Sequence, residues 1–109
     1  MAAKKGDGLL MVYGDVAAEH EEECNRWYNE EHIPERLAIP GVLNAARYEA
    51  VAGGPTYTTV HEMASLDVWQ SQAWDAWRTA VTPVWSSEIR LHMVHAAGSP
   101  GVYRRIFPA

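Results

Sequence analysis

Residues Leu9-Leu10-Met11-Val12-Tyr13 form an unbroken apolar run closed by Gly14-Asp15. In a strand, successive side chains point to opposite faces, so this run is apolar on both. A strand of that kind must be covered on two sides. Helices packed on one face of a sheet supply one cover. A chain of 109 residues is one domain's worth of sequence, and a second domain to supply the other is not expected.

The remaining periodicities place the helices. From Ala17 to about Glu31 the composition is helical, and His20, Cys24, Trp27, Tyr28 and Glu31 share one face at 3.6-residue spacing. Seven of the fourteen acids lie in residues 19–35 and read mostly as a solvated face. Pro34 disfavours helical geometry at Ile33, so the first helix is expected to end near His32, with a further turn from Pro34 to Leu37. Pro40-Gly41 breaks the chain, and residues 42–63 read as a hairpin turned at Ala52-Gly53-Gly54-Pro55. Ser65 is a candidate cap for a second helix carrying Leu66, Trp69, Ala73, Trp77 and Ala80, ended by Thr82-Pro83. Residues 89–97 alternate as a last core strand, and Val102–Phe107 read as an extended tail.

The order β-α-β-β-α-β is the ferredoxin-like split arrangement, an α+β fold with a four-stranded antiparallel sheet and both helices on one face. The expected domain spans 1–109, with residues 1–7 a mobile tail and 101–109 extended. The open face of the sheet would be apolar, and large exposed apolar patches are rare on monomers. A second copy covering it, in a symmetric homodimer, is the economical expectation.

Charge narrows the partners. Nine basic against fourteen acidic residues leave a net charge of −5. That argues against a nucleic-acid surface or an anionic membrane surface. RNA-recognition domains share the element order, but their basic-aromatic motif is missing here. No apolar run approaches a membrane span, and 9–13 is too short for a signal peptide. Cys24 is the sole cysteine, which excludes an intrachain disulfide. A cytoplasmic protein is expected.

The segment Trp27-Tyr28-Asn29-Glu30-Glu31-His32-Ile33-Pro34-Glu35-Arg36 resembles the "WYxEEHIPER" stretch of small bacterial proteins of the dimeric α+β barrel superfamily. More loosely it is similar to EthD-like proteins, with their Tyr…His-x-Pro segment at the end of the first helix. Pro40-Gly41-Val42-Leu43-Asn44-Ala45-Ala46-Arg47-Tyr48-Glu49 and Tyr103-Arg104-Arg105-Ile106-Phe107-Pro108 fit the same group. The resemblance implies a dimeric α+β barrel. That superfamily includes lactone isomerases, polyketide cyclases and small quinone-forming monooxygenases, so it does not fix a reaction. His32 carries over, with Tyr28 and the Glu30-Glu31 pair beside it. Cys24 stands where an aromatic residue is expected and His61 where a Tyr is expected, which puts a titratable ring into the sheet.

His32 titrates near neutrality and lies at a helix end, where a side chain reaches a cleft mouth. Its competing role is to cap the last carbonyls of the helix. His61 and His92 lie in strands. If those strands present them to the open face, both line a cavity there; alternation cannot decide, because both faces of the hairpin are mixed. A hydrogen-bonded interface histidine is the competing reading for each. His95 shares a face with Ile89, Leu91 and Met93 and reads as a satisfied core histidine, while His20 reads as a surface partner of acids.

The expected catalytic set is therefore His32, His61 and His92. The expected substrate-binding set is Tyr13, Tyr28, Glu31, Arg47, Trp69, Trp85 and Arg90, with Arg47 or Arg90 pairing with a substrate carboxylate. His92-x-x-His95 is the only close histidine pair, and its members diverge on a strand, so no metal is expected. No phosphate loop or dinucleotide fingerprint occurs, so no cofactor is expected. Cys24 reads as inert in a helix interior. Four Trp (69, 74, 77, 85) within seventeen residues read mostly as core, with Trp69 or Trp85 walling a pocket for a flat apolar ligand.

These residues suit a small cofactor-independent enzyme acting on an aromatic or apolar small molecule. An isomerase, cyclase or lyase of aromatic, lactone or polyketide-type metabolism is the first expectation. A non-catalytic binding or accessory protein and a cofactorless quinol-type monooxygenase are the alternatives.

Overall fold

A computed structural model describes residues 6–74 and 92–107. The first strand, β1 (Gly8–Val16), contains the apolar run. The helical segment follows as a 3-10 turn (Ala18–His20), helix α1 (Glu21–Trp27), a π turn (Tyr28–His32) and helix α2 (Ile33–Leu37). The hairpin is β2 (Val42–Glu49) and β3 (Tyr57–Met63). The chain closes with β4 (Met93–His95) and β5 (Gly101–Arg104).

The sheet is antiparallel and ordered β2-β3-β1-β4, the order of the ferredoxin-like arrangement. It has five strands rather than the expected four, because β5 also pairs with β1. β4 pairs with Gly14–Val16 and β5 with Gly8–Met11, so the two occupy successive stretches of one edge. Between them a side chain completes the ladder: Ser99 Oγ accepts from the Tyr13 N–H at 3.0 Å. The segment 102–107, expected as a plain tail, thus contributes strand residues at 102–104. Of the expected strand 89–97, only residues 93–95 are strand within the described part.

The first helix does not stop at His32; helical backbone continues to Leu37. The π turn explains how Pro34 is tolerated. The Ile33 N–H bonds back five residues to the Tyr28 carbonyl, which restarts the helix one residue before the proline. Pro34 then lies in the first turn of α2, where a missing N–H costs nothing. The second helix is broken where continuity was expected. Ser65 caps only a 3-10 turn, Leu66–Gln70, through Asp67 N–H to Ser65 Oγ at 3.3 Å. Ser71 is extended, and its Oγ accepts from the Trp74 N–H at 3.2 Å, so a new helical turn starts at 72–74. The rest of the expected second helix, including Trp77, lies outside the described residues, as do Trp85 and Arg90.

Burial alternates along β3: Thr59, His61 and Met63 are buried, Thr58, Val60 and Glu62 are not. Leu10 lies opposite His61 in β1, and Ala45 opposite it in β2, so one sheet face is covered by the helical elements. One core cluster there joins Leu10, Ile39, Val42, Met63, Val68 and Trp74. Gly41, at φ +91°, lets the chain turn against it; a Cβ would fall 2.4 Å from Val68 Cγ2. A second cluster joins Cys24, Trp27 and Tyr28 under α1. The opposite face carries Tyr48, Val94 and Tyr103, all exposed.

Candidate functional site

The two core clusters contribute opposite walls to one cavity of about 560 Å³ between helices and sheet. The floor is strand, Leu10, Val12 and His61; one wall is Trp27, Tyr28, His32 and Arg36; the other is Trp69 and Trp74. Met93, His95 and Pro100 complete the described lining.

The π turn arranges the helical wall. In an α-helix, residues five apart lie about 140° around the axis. One π turn instead brings them together, and the His32 ring stacks on Trp27 at 4.5 Å between centroids and 20° between planes. Tyr28 meets His32 edge-on at 5.4 Å. Trp27 is 1% exposed, so His32 is held on a fixed plane while remaining half-buried itself. Arg36, one turn further, places its guanidinium over Trp74 at 4.6 Å.

His61 is 1% exposed and meets Trp74 edge-on at 6.0 Å. Its Nδ1 lies 3.3 Å from the Leu10 carbonyl oxygen. Burial, with the nearby Arg36 charge, pulls its pKa down from 6.5 to about 4 against the opposing pull of that carbonyl, so the ring is neutral at pH 7. His61 therefore faces the helices, and the cavity it lines is on that side rather than on the open face.

Other expected residues lie elsewhere. His92 does not line the cavity; it stacks on His20 at 3.5 Å, which also replaces the expected pairing of His20 with acids. His95 is exposed and lines the cavity edge instead of sitting in the core. Tyr13 is on the open face, hydrogen-bonded to Tyr103, which raises its pKa. Glu31 is outside the cavity lining.

Arg47 stands behind Tyr28 rather than in the cavity, with its guanidinium 4.3 Å from that ring. It donates to Asn25 Oδ1 at 2.9 Å and Asn29 Oδ1 at 3.3 Å, fixing the helical wall to the sheet. Beside it Tyr57 donates to the Glu21 carboxylate and accepts from Asn25 at 3.3 Å; burial first and then the Glu21 contact raise the Tyr57 pKa. Burial likewise pushes the Cys24 thiol up, which keeps it protonated and unreactive.

Of the residues singled out in the sequence, His32, His61, Tyr28 and Trp69 line this cavity; Arg36 and Trp74, which line it too, were not among the expected site residues. His32 and Arg36 are four residues apart, a spacing that signals a shared face once the helix is continuous. Among the described residues, no three His, Cys, Asp or Glu side chains converge as a metal group. None of the described helices is long and apolar enough to cross a membrane.

Comparison with known proteins agrees with this architecture. A family described as a domain of unknown function, DUF4286, matches residues 8–91. The fold is that of an ethyl tert-butyl ether d (EthD) family protein from Bacillus halodurans C-125, known from a crystal structure at 1.40 Å resolution. The two chains share 13% identity at a TM-score of 0.57, over 91% of this chain and 97% of that one. The fold is thus EthD-like α+β. No curated protein matches the sequence.

Proposed function

We propose, for a chain that belongs to the DUF4286 family of unknown function, that the cavity is the site of acid–base chemistry on a planar, largely apolar small molecule. The observation that carries this is the presence of His32 and His61 in one aromatic-walled cavity, at different depths of burial. His61 is buried and neutral. His32 is half-buried at the helical wall, where it can exchange protons with solvent while stacked on Trp27.

His32 removes a proton from a carbon next to a carbonyl and returns it elsewhere, the step shared by isomerase, cyclase and lyase chemistry. Arg36 stabilises the negative charge that develops on the substrate oxygen. Trp27, Trp69 and Trp74 bind the ring system by area and stacking. No step in this scheme draws on a cofactor. Binding without turnover is a second reading, favoured by the aromatic walls of the cavity.

The chain acts as a homodimer. The open sheet face exposes Tyr48, Val94 and Tyr103, and a second copy of that face is its natural cover.

The test is deuterium uptake from D2O into aryl-bearing lactones and β-keto esters, followed by NMR. The wild type accelerates exchange over buffer, and His32→Gln lowers the rate by roughly 10²–10⁴-fold with the melting temperature retained. Exchange at the wild-type rate in His32→Gln refutes the catalytic role. Binding with no exchange by the wild type selects the second reading.

A further inference from the structure

His61 is a buried ring with one nitrogen satisfied and one not. A carbonyl oxygen can only accept, so the contact with Leu10 places the ring hydrogen on Nδ1. Nε2 is then a lone-pair acceptor. It is buried and has no hydrogen-bond partner among the described residues. The ring lines the cavity, with Trp74 on its flank. Buried polar atoms are rarely left unpaired, and those that are mark a place where a ligand or water belongs.

We infer that His61 is the specificity element of the cavity, and that it selects ligands presenting a neutral hydroxyl at their buried end. The class is a planar, mainly apolar phenol or enol. An ether, a ketone or a phenolate in the same place would set an oxygen lone pair against that of Nε2. The ring stays neutral down to about pH 4, so the preference holds throughout the ordinary range. The same geometry sets what His61 can do: its free nitrogen accepts from a hydroxyl and does not donate to a carbonyl. The inference rests on the cavity being the binding site.

The experiment compares 2-naphthol with 2-methoxynaphthalene by isothermal titration calorimetry at neutral pH, using the full chain. The two share a ring system and differ in the donor. The wild type should bind 2-naphthol at least about tenfold more tightly, the factor one ordinary hydrogen bond supplies. In His61→Phe the ratio should fall to about one. Should that variant fold poorly, the imidazole 15N spectrum of the wild type serves: the Nε2 signal shifts with 2-naphthol and stays still with the ether.

Equal binding of both compounds to the wild type, or a ratio unchanged in His61→Phe, overturns the selectivity and leaves the cavity reading standing. An Nε2 signal that ignores 2-naphthol overturns it too. Binding of neither compound removes the cavity reading and this inference with it.

Discussion

Replacing His61 should make the protein less sensitive to acid, and the size of the effect follows from burial. The folded ring titrates at about 4, while the unfolded chain has the ordinary histidine value of 6.5. Unfolding therefore takes up a proton between those values, so stability is complete above 6.5 and falls as the pH drops toward 4. The full span of 2.5 units (6.5 − 4) corresponds to about 3 kcal/mol. At pH 4.5 about 2.5 kcal/mol of this would already be lost, because the unfolded ring is almost fully charged there. Urea denaturation of the wild type and of His61→Gln, each at pH 7.5 and at pH 4.5, isolates the term. The other titrating groups cancel in the double difference. The wild type should lose about 2.5 kcal/mol more than the variant across that interval. Parallel losses in the two proteins would refute the reasoning, since a ring that titrates normally when folded contributes no such difference.

Four further outcomes follow from the packing and the site. Met63 is fully buried in the larger core cluster, so Met63→Ala should cost roughly 2–5 kcal/mol in urea denaturation; a loss below 1 kcal/mol contradicts that placement. Cys24 should resist aromatic disulfide reagents in the native protein and react fully in denaturant, because burial keeps the thiol protonated; rapid native labelling would oppose this. Tyr57→Phe removes the hydroxyl between Glu21 and Asn25 and should destabilise the helical wall by about 1 kcal/mol, with no change in the melting temperature counting against it. Light scattering should give twice the 12.2 kDa chain mass for the wild type and one chain mass for Val94→Asp; a monomeric wild type ends the homodimer proposal.

The parts of the fold governed by local periodicity were legible in the sequence. The apolar run of β1, the hairpin at 42–63 and the amphipathic first helix each follow from side-chain spacing. What stayed hidden depends on contacts between distant residues. The backbone rule for the residue before proline pointed to a break at Ile33, but a five-residue π turn absorbs it and keeps Arg36 in line with His32. The face taken by His61 could not be read from a strand whose two sides are both mixed; pairing with Leu10 settles it. β5 looked like a tail because four residues carry little pattern, and its partner lies some ninety positions earlier in the chain. Ser71 breaks the second helix for a similar reason: its hydroxyl caps a new turn at 72–74, while Ser65, the cap expected from its position, serves only the 3-10 turn before it.

The most direct test of the cavity as the functional site is a crystal structure of the protein soaked with 2-naphthol. The ring should lie between the Trp27–His32 stack and Trp74, with its oxygen within hydrogen-bond distance of His61 Nε2. A ring bound on the open sheet face beside Tyr13 and Tyr103, with the cavity empty, would contradict the account.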